Sequence, residues 1–190
     1  MPITSDLFEA YLKCPTKCFL RSLGEAGTNN SYSNWARTQY LYYSSEGIKQ
    51  LVKDFAENEV ITGTIDSEET QSPRWHLSIQ TLARTHNLES VIHAVERVTS
   101  EREDKSESLI PIRFVNANKV HKHDKLSLAF DALALSQMLG REIAVGNIIC
   151  GDNHARLTVN AGALARCDIA PMRTFIDESG SFSWAVSQSL

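Results

Sequence analysis

Glu96 closes an apolar run over residues 90–98, and the next apolar run, residues 109–115, carries Arg113, with Lys119 just beyond it. A carboxylate and cations at neighbouring strand ends have the chemistry to hold a divalent metal and a phosphate. The same residues could equally form an ion pair at the rim of a sheet, which contributes little to stability. Ser127 and Asp131 have the spacing that places two side chains on one face of a helix. Asp131 falls inside an apolar stripe, where a bare carboxylate is costly, so it must face a cleft, turn to solvent or meet a partner.

His121 and His123 are spaced like ligands in some metal sites, but they fall in a polar, Lys-containing turn that reads as well as a solvated one. His93 and His154 add possible nitrogen donors, and no H-E-x-x-H signature unites the four. Cys14 and Cys18 bracket Pro15, Thr16 and Lys17, a wider spacing than a redox C-x-x-C, and no second pair follows at zinc-ribbon distance. Phosphate-binding G-x-x-x-x-G-K-[ST], dinucleotide G-x-G-x-x-G and nucleophile-elbow G-x-S-x-G motifs do not occur.

The chain has 190 residues, 42% hydrophobic and 22% charged, with a formal net charge of -4. That is enough to bury one core without disulfides, so a single main domain is the default. No apolar run reaches the roughly 18 residues of a membrane-spanning helix. Asp6 and Glu9 stand where a signal peptide would be basic and apolar, which predicts a cytoplasmic protein with Cys14, Cys18, Cys150 and Cys167 as thiols. The negative balance gives no global attraction to polyphosphate, so nucleic-acid contact would need a local basic patch.

These residues need elements to place them. Thr4 and Ser5 precede Leu7, Phe8, Tyr11 and Leu12, a helix start that Pro15 ends. Residues 24–34 read as a loop before a long amphipathic helix from Trp35 to Phe55, with Ser33 as cap. Residues 57–78 are polar and punctuated by Gly63 and Pro73, implying short strands or loops. Two strands follow, over 90–98 and 109–115, separated by a charged turn at 101–107. Asp124 can cap a buried helix that Gly140 closes, and strands over 143–150 and 155–159 flank a Gly151-Asp152-Asn153 turn. That order predicts an α/β or α+β fold with a mixed sheet.

Three stretches together resemble the stand-alone RecB-like nucleases of the PD-(D/E)XK superfamily, relatives of CRISPR-associated nucleases that carry a 4Fe-4S cluster. They are residues 7–20 (LFEAYLKCPTKCFL), 92–98 (IHAVERV) and 110–152 (IPIRFVNANKVHKHDKLSLAFDALALSQMLGREIAVGNIICGD). The likeness runs from about Thr4 to Leu164 and is most specific from Ile110 onward. It implies an α/β, restriction-endonuclease-like mixed sheet flanked by helices, a nuclease core over residues 1–165 and a divergent tail over 166–190.

In such nucleases a strand-end acid and a following acid-x-Lys strand bind Mg2+ or Mn2+ and activate water against a phosphodiester, helped by a Gln-x-x-x-Tyr helix. By that resemblance Glu96 matches the first acid and Arg113 the lysine, as a cation. Ser127 and Asp131 fall at the Gln and Tyr positions. The second acid would fall at Ile110 or Pro111, which cannot ligate through a carboxylate, and Asp131 could move in to replace it. The implied partner is DNA, contacted by Lys119 and Lys125, with a protein partner or self-association left open. Cys14 matches the family's early cluster ligand, but the tail supplies only Cys167, so a complete iron-sulfur cluster is not expected. Two readings follow: a metal-dependent DNA nuclease using Glu96, Arg113 and Asp131, or an inactive relative that binds nucleic acid or protein. Residues 172–182 (MRTFIDESGSF) separately resemble the opening of a family of ribonuclease-H-like proteins, which would make Asp177 part of another site.

Overall fold

The structure is a computed structural model that describes residues 2–25, 27, 30–65, 74–98 and 107–166. A short strand β1 (Ile3–Thr4) leads into helix α1 (Ser5–Lys13), where Thr4 Oγ1 accepts the Leu7 N–H at 3.2 Å. Pro15 follows the end of α1 and opens a second helix, which the sequence pattern did not indicate. Its missing N–H and fixed φ suit a first helical position, and α2 (Pro15–Ser22) starts on it. Helix α3 (Ser31–Val52) begins earlier than expected, because Asn30 Oδ1 accepts the Ser33 N–H at 2.7 Å and so replaces Ser33 as the cap.

The strands that follow are β2 (Val60–Thr62), β3 (Leu77–Arg84), β4 (Leu88–Val98) and β5 (Ser108–Val115). Helix α4 (Lys122–Leu139), strands β6 (Gly146–Cys150) and β7 (Ala155–Val159), and the short helix α5 (Ala161–Leu164) complete the order. Asp124 is not the cap of α4. It sits in the first turn, where its carboxylate accepts the His121 N–H at 2.7 Å. Among the described residues no helix is long and apolar enough to cross a membrane.

The protein is α/β: a 7-stranded mixed sheet ordered β2-β3-β4-β5-β6-β7, with β1 beside β4, flanked by helices. Strands β3, β4 and β5 form an antiparallel meander, and α4 crosses over to bring β6 parallel to β5. Phe8 of α1 and the apolar face of α4 cover one side, packing on Leu88, Ile92, Val95 and Leu109. Helix α3 covers the other through Leu51 and Ile48, against Leu77, Ala94, Ile112 and Phe114.

Two features of β4 make the sheet open in the middle. On its side away from β3, β4 pairs first with β1 at Leu88 and Glu89, then with β5 from Ala94 to Val98, which leaves residues 90–93 without a strand there. In addition, β3 and β4 change face together. Leu77, Ile79 and Ala94 pack toward α3, whereas Ala83, Leu88 and Ile92 pack toward α4. The change falls where Gln80 adopts φ +50° opposite His93, between the paired couples Ile79–Ala94 and Thr81–Ile92. A left-handed residue breaks the period-2 pleat as a bulge does and turns the strand.

Candidate functional site

The opening between β4 and β5 is lined by polar side chains from five elements. Phe114 loses a strand partner on the β4 side, and its N–H instead donates to His93 Nδ1 at 2.9 Å. Because Nδ1 accepts, the ring proton belongs on Nε2, which lies 2.8 Å from Tyr40 Oη of α3 and donates to it. Burial and the Arg113 charge push the His93 pKa down to about 3 against a weaker opposing pull from Glu9, which keeps the imidazole neutral. Burial pushes the Tyr40 phenol up to about 12.

Beside this pair stands a charged cluster. Arg113 Nε donates to Asp131 Oδ2 at 2.8 Å, Nη2 to Oδ1 at 3.0 Å, and Nη1 to Glu9 Oε1 at 2.6 Å. Ser90 Oγ donates to Asp131 Oδ1 at 2.6 Å. Arg113 and Asp131 are buried, while Glu9 on α1 keeps a third of its side chain in solvent. Burial alone would lower the Arg113 pKa, but the coulombic pull and hydrogen bonds of Asp131, with Glu9 behind them, outweigh it and raise it further. Asp131 therefore faces neither a cleft nor solvent. Both its oxygens are committed to buried donors.

Glu96 lies elsewhere. It pairs with Ile110 across the sheet and points to the α3 face, where its Oε2 stands 3.0 Å from Arg156 Nη1 of β7. Arg113 and Asp131 belong to the α4 face, so the sheet itself separates Glu96 from Asp131. The expectation that these two carboxylates share a metal is corrected by that alternation: a shift of odd parity along β4 and β5 reverses the face. The donor set does not fit the divalent ion of the resemblance either. A cation bound at Asp131 would have to displace a buried guanidinium that already supplies positive charge there. Among the described residues no group of three or more His, Cys, Asp or Glu could hold a metal ion.

The remaining candidates are dispersed. Ser127 is buried on α4 near Asp131 in sequence, and no hydrogen bond joins the two. Lys119 is exposed and Lys125 half-buried around the start of α4, with His121 and His123 also exposed there. Cys14 is exposed, Cys18 is buried in a small cluster with Leu7 and Ala10, and Cys150 ends β6. Cys167, the turn at 101–106 and residues 172–182 with Asp177 lie outside the described residues.

Sequence reasoning missed Glu9, Tyr40 and Ser90 as site residues, and it offered His93 only as a possible metal ligand. Arg113 is the residue that gathers them, and a buried arginine needs about two carboxylates or carbonyls to satisfy its fork. That need was a usable signal once Arg113 was placed in an apolar strand. Compared with known proteins, the chain matches no protein-family model and no curated protein.

Proposed function

We propose that this chain is a RecB-like domain of nuclease type that does not cut phosphodiester bonds itself and instead holds nucleic acid. The observation that carries the reading is the Arg113 guanidinium clasped by Asp131 and Glu9 at the opening of the sheet. A fixed internal cation there satisfies the carboxylates that a metal nuclease would spend on its ions. It also stabilises the place where β4 and β5 part, so a catalytic position has become a structural one. The meander, crossover helix and parallel strand are consistent with the resemblance that suggested the family.

Lys119 and Lys125 support the nucleic-acid half of the reading, since a net charge of -4 leaves backbone contact to such local cations. The test uses labelled single- and double-stranded DNA with Mg2+, Mn2+ or EDTA. Full-length DNA is expected under all three conditions, with retention of DNA in EDTA. Metal-dependent cutting that Glu96→Ala abolishes would restore the nuclease reading. Failure to retain either DNA form would remove nucleic acid as the partner.

A further inference from the structure

A second polar site lies on the opposite face of the sheet, between the C-terminal half of α3 and strands β4 to β7. It is an open cleft of about 280 Å³. Phe55 and Ile149 give it apolar walls, and Gln50, Glu96, His154 and Arg156 give it a polar end. Its size falls just below the roughly 300–1,000 Å³ of sites for drug-sized ligands, which suits a single ring system.

Two buried polar atoms in it, Glu96 Oε2 and His154 Nε2, have no hydrogen-bond partner among the described residues. Arg156 approaches Glu96 Oε2 to 3.0 Å as an ion pair, without completing a hydrogen bond. His154 is held where it is. Its backbone adopts φ +50° at the end of the β6–β7 turn, and its ring stacks on Tyr43 at 4.9 Å with an interplanar angle of 4°. A buried, unsatisfied polar atom is rare enough in proteins to ask for a partner, and a strained backbone that fixes one of them strengthens the case.

The charges select the partner. Asp54 and Glu96 both line the cleft, which disfavours a phosphate, while Arg156 beside Glu96 disfavours a bare cation. A neutral planar group that presents adjacent donors and acceptors answers both. We propose that this cleft binds a guanine base, with Glu96 accepting from its N1–H and 2-amino group and Arg156 donating to O6 or N7. Arginine to guanine O6 and N7 is the commonest specific arginine contact with a base, and a carboxylate supplies only acceptors, which match the donor edge. Arg156 keeps 39% of its side chain in solvent, and on this proposal its guanidinium turns from Glu96 toward the base. The site is independent of the reading above, because it uses neither the Arg113 cluster nor Lys119 and Lys125.

Calorimetric titration of the full chain with the four nucleoside monophosphates and with inosine monophosphate tests this. Guanosine monophosphate is expected to bind at one site, and inosine monophosphate, which lacks the 2-amino group, about tenfold more weakly. Glu96→Gln should lose at least about tenfold of the guanosine affinity. Arg156→Gln, at a partly exposed position, should weaken binding with its unfolding midpoint unchanged. A single-stranded oligothymidine bearing one guanine identifies the source: tighter binding than guanosine monophosphate means a base presented by a strand, weaker binding a free nucleotide. Either result supports guanine recognition. No binding of any monophosphate, equal binding of all of them, tighter binding of cytidine monophosphate, or guanosine binding indifferent to both substitutions would overturn it. DNA retention in EDTA that survives Glu96→Gln leaves the function proposed above intact when this one fails.

Discussion

Arg113 and Asp131 meet side-on beneath α4, with Nε to Oδ2 at 2.8 Å and Nη2 to Oδ1 at 3.0 Å, both side chains buried. Removing one partner of a buried pair leaves the other charge without compensation, whereas removing both can be nearly neutral. Asp131→Ala should therefore cost about 3–5 kcal/mol of unfolding free energy in urea titrations. Arg113→Lys should also destabilise, because an ammonium cannot reproduce the fork that reaches Asp131 and Glu9 together. The pair Arg113→Met with Asp131→Leu should lie closer to wild type than either charge-breaking single variant. A double variant less stable than both singles would contradict the account of the cluster.

His93 gives the protein an acid-sensitive point. Its ordinary pKa of 6.5 is pushed down to about 3 in the folded protein, so the unfolded chain takes up the proton first. Stability contributed by neutral His93 is present above about pH 6.5 and is lost as pH falls from there toward 3. Protonation would also put an N–H on Nδ1 against the Phe114 N–H. His93→Gln should flatten this part of the stability curve, measured by denaturation midpoints across that range. An unchanged acid slope would assign the effect to other groups.

Tyr40 behaves in the opposite sense. Its phenol is raised from 10.0 to about 12, so stability present below about pH 10 is lost as pH rises toward 12. Tyr40→Phe removes that dependence and also leaves the His93 Nε2–H without its acceptor. The variant should be less stable at neutral pH by about 1–3 kcal/mol, the cost of a buried unsatisfied donor.

Gly47 sets how close α3 lies to the sheet. A Cβ placed there would overlap the ring of Phe114, which is buried between α3 and the sheet. Gly47→Ala should cost about 1–3 kcal/mol through overpacking, despite alanine's better helix propensity. A neutral or stabilising effect in thermal melts would show that α3 can lift.

Lys119 and Lys125 are expected to act as phosphate contacts. Replacing both with Ala should weaken DNA binding evenly across sequences and reduce the salt slope of log affinity by about one per contact. A sequence-dependent loss would mean that they touch bases instead.

Much of the architecture was legible in the chain because it depends on local pattern. The apolar stripe of α4, the β-rich runs before and after it and the turn at Gly151 each carry their own periodicity or turn chemistry. Strand β3 was not legible, since Ser78, Gln80 and Thr81 interrupt its apolar residues. The Ser78 and Thr81 hydroxyls satisfy each other at 2.8 Å, a bond available only after the strand has kinked at Gln80.

The site was legible only in part for a related reason. Arg113 and Asp131 were visible as charges inside apolar segments, and burial cost alone required that each find a partner. That the partner of each is the other, joined by Glu9 from residues far earlier in the chain, was decided by α4 crossing over β5. Glu96 shows the limit most sharply. Its distance along the chain from Arg113 says nothing about which face of the sheet it occupies, because facing depends on strand register and on a kink shared by Gln80 and His93. Local propensity and hydrophobic pattern thus determined an α/β chain with charges trapped in its core. Register, crossover and the parting of β4 from β5 decided that those charges neutralise one another on one face and leave Glu96 beside Arg156 on the other.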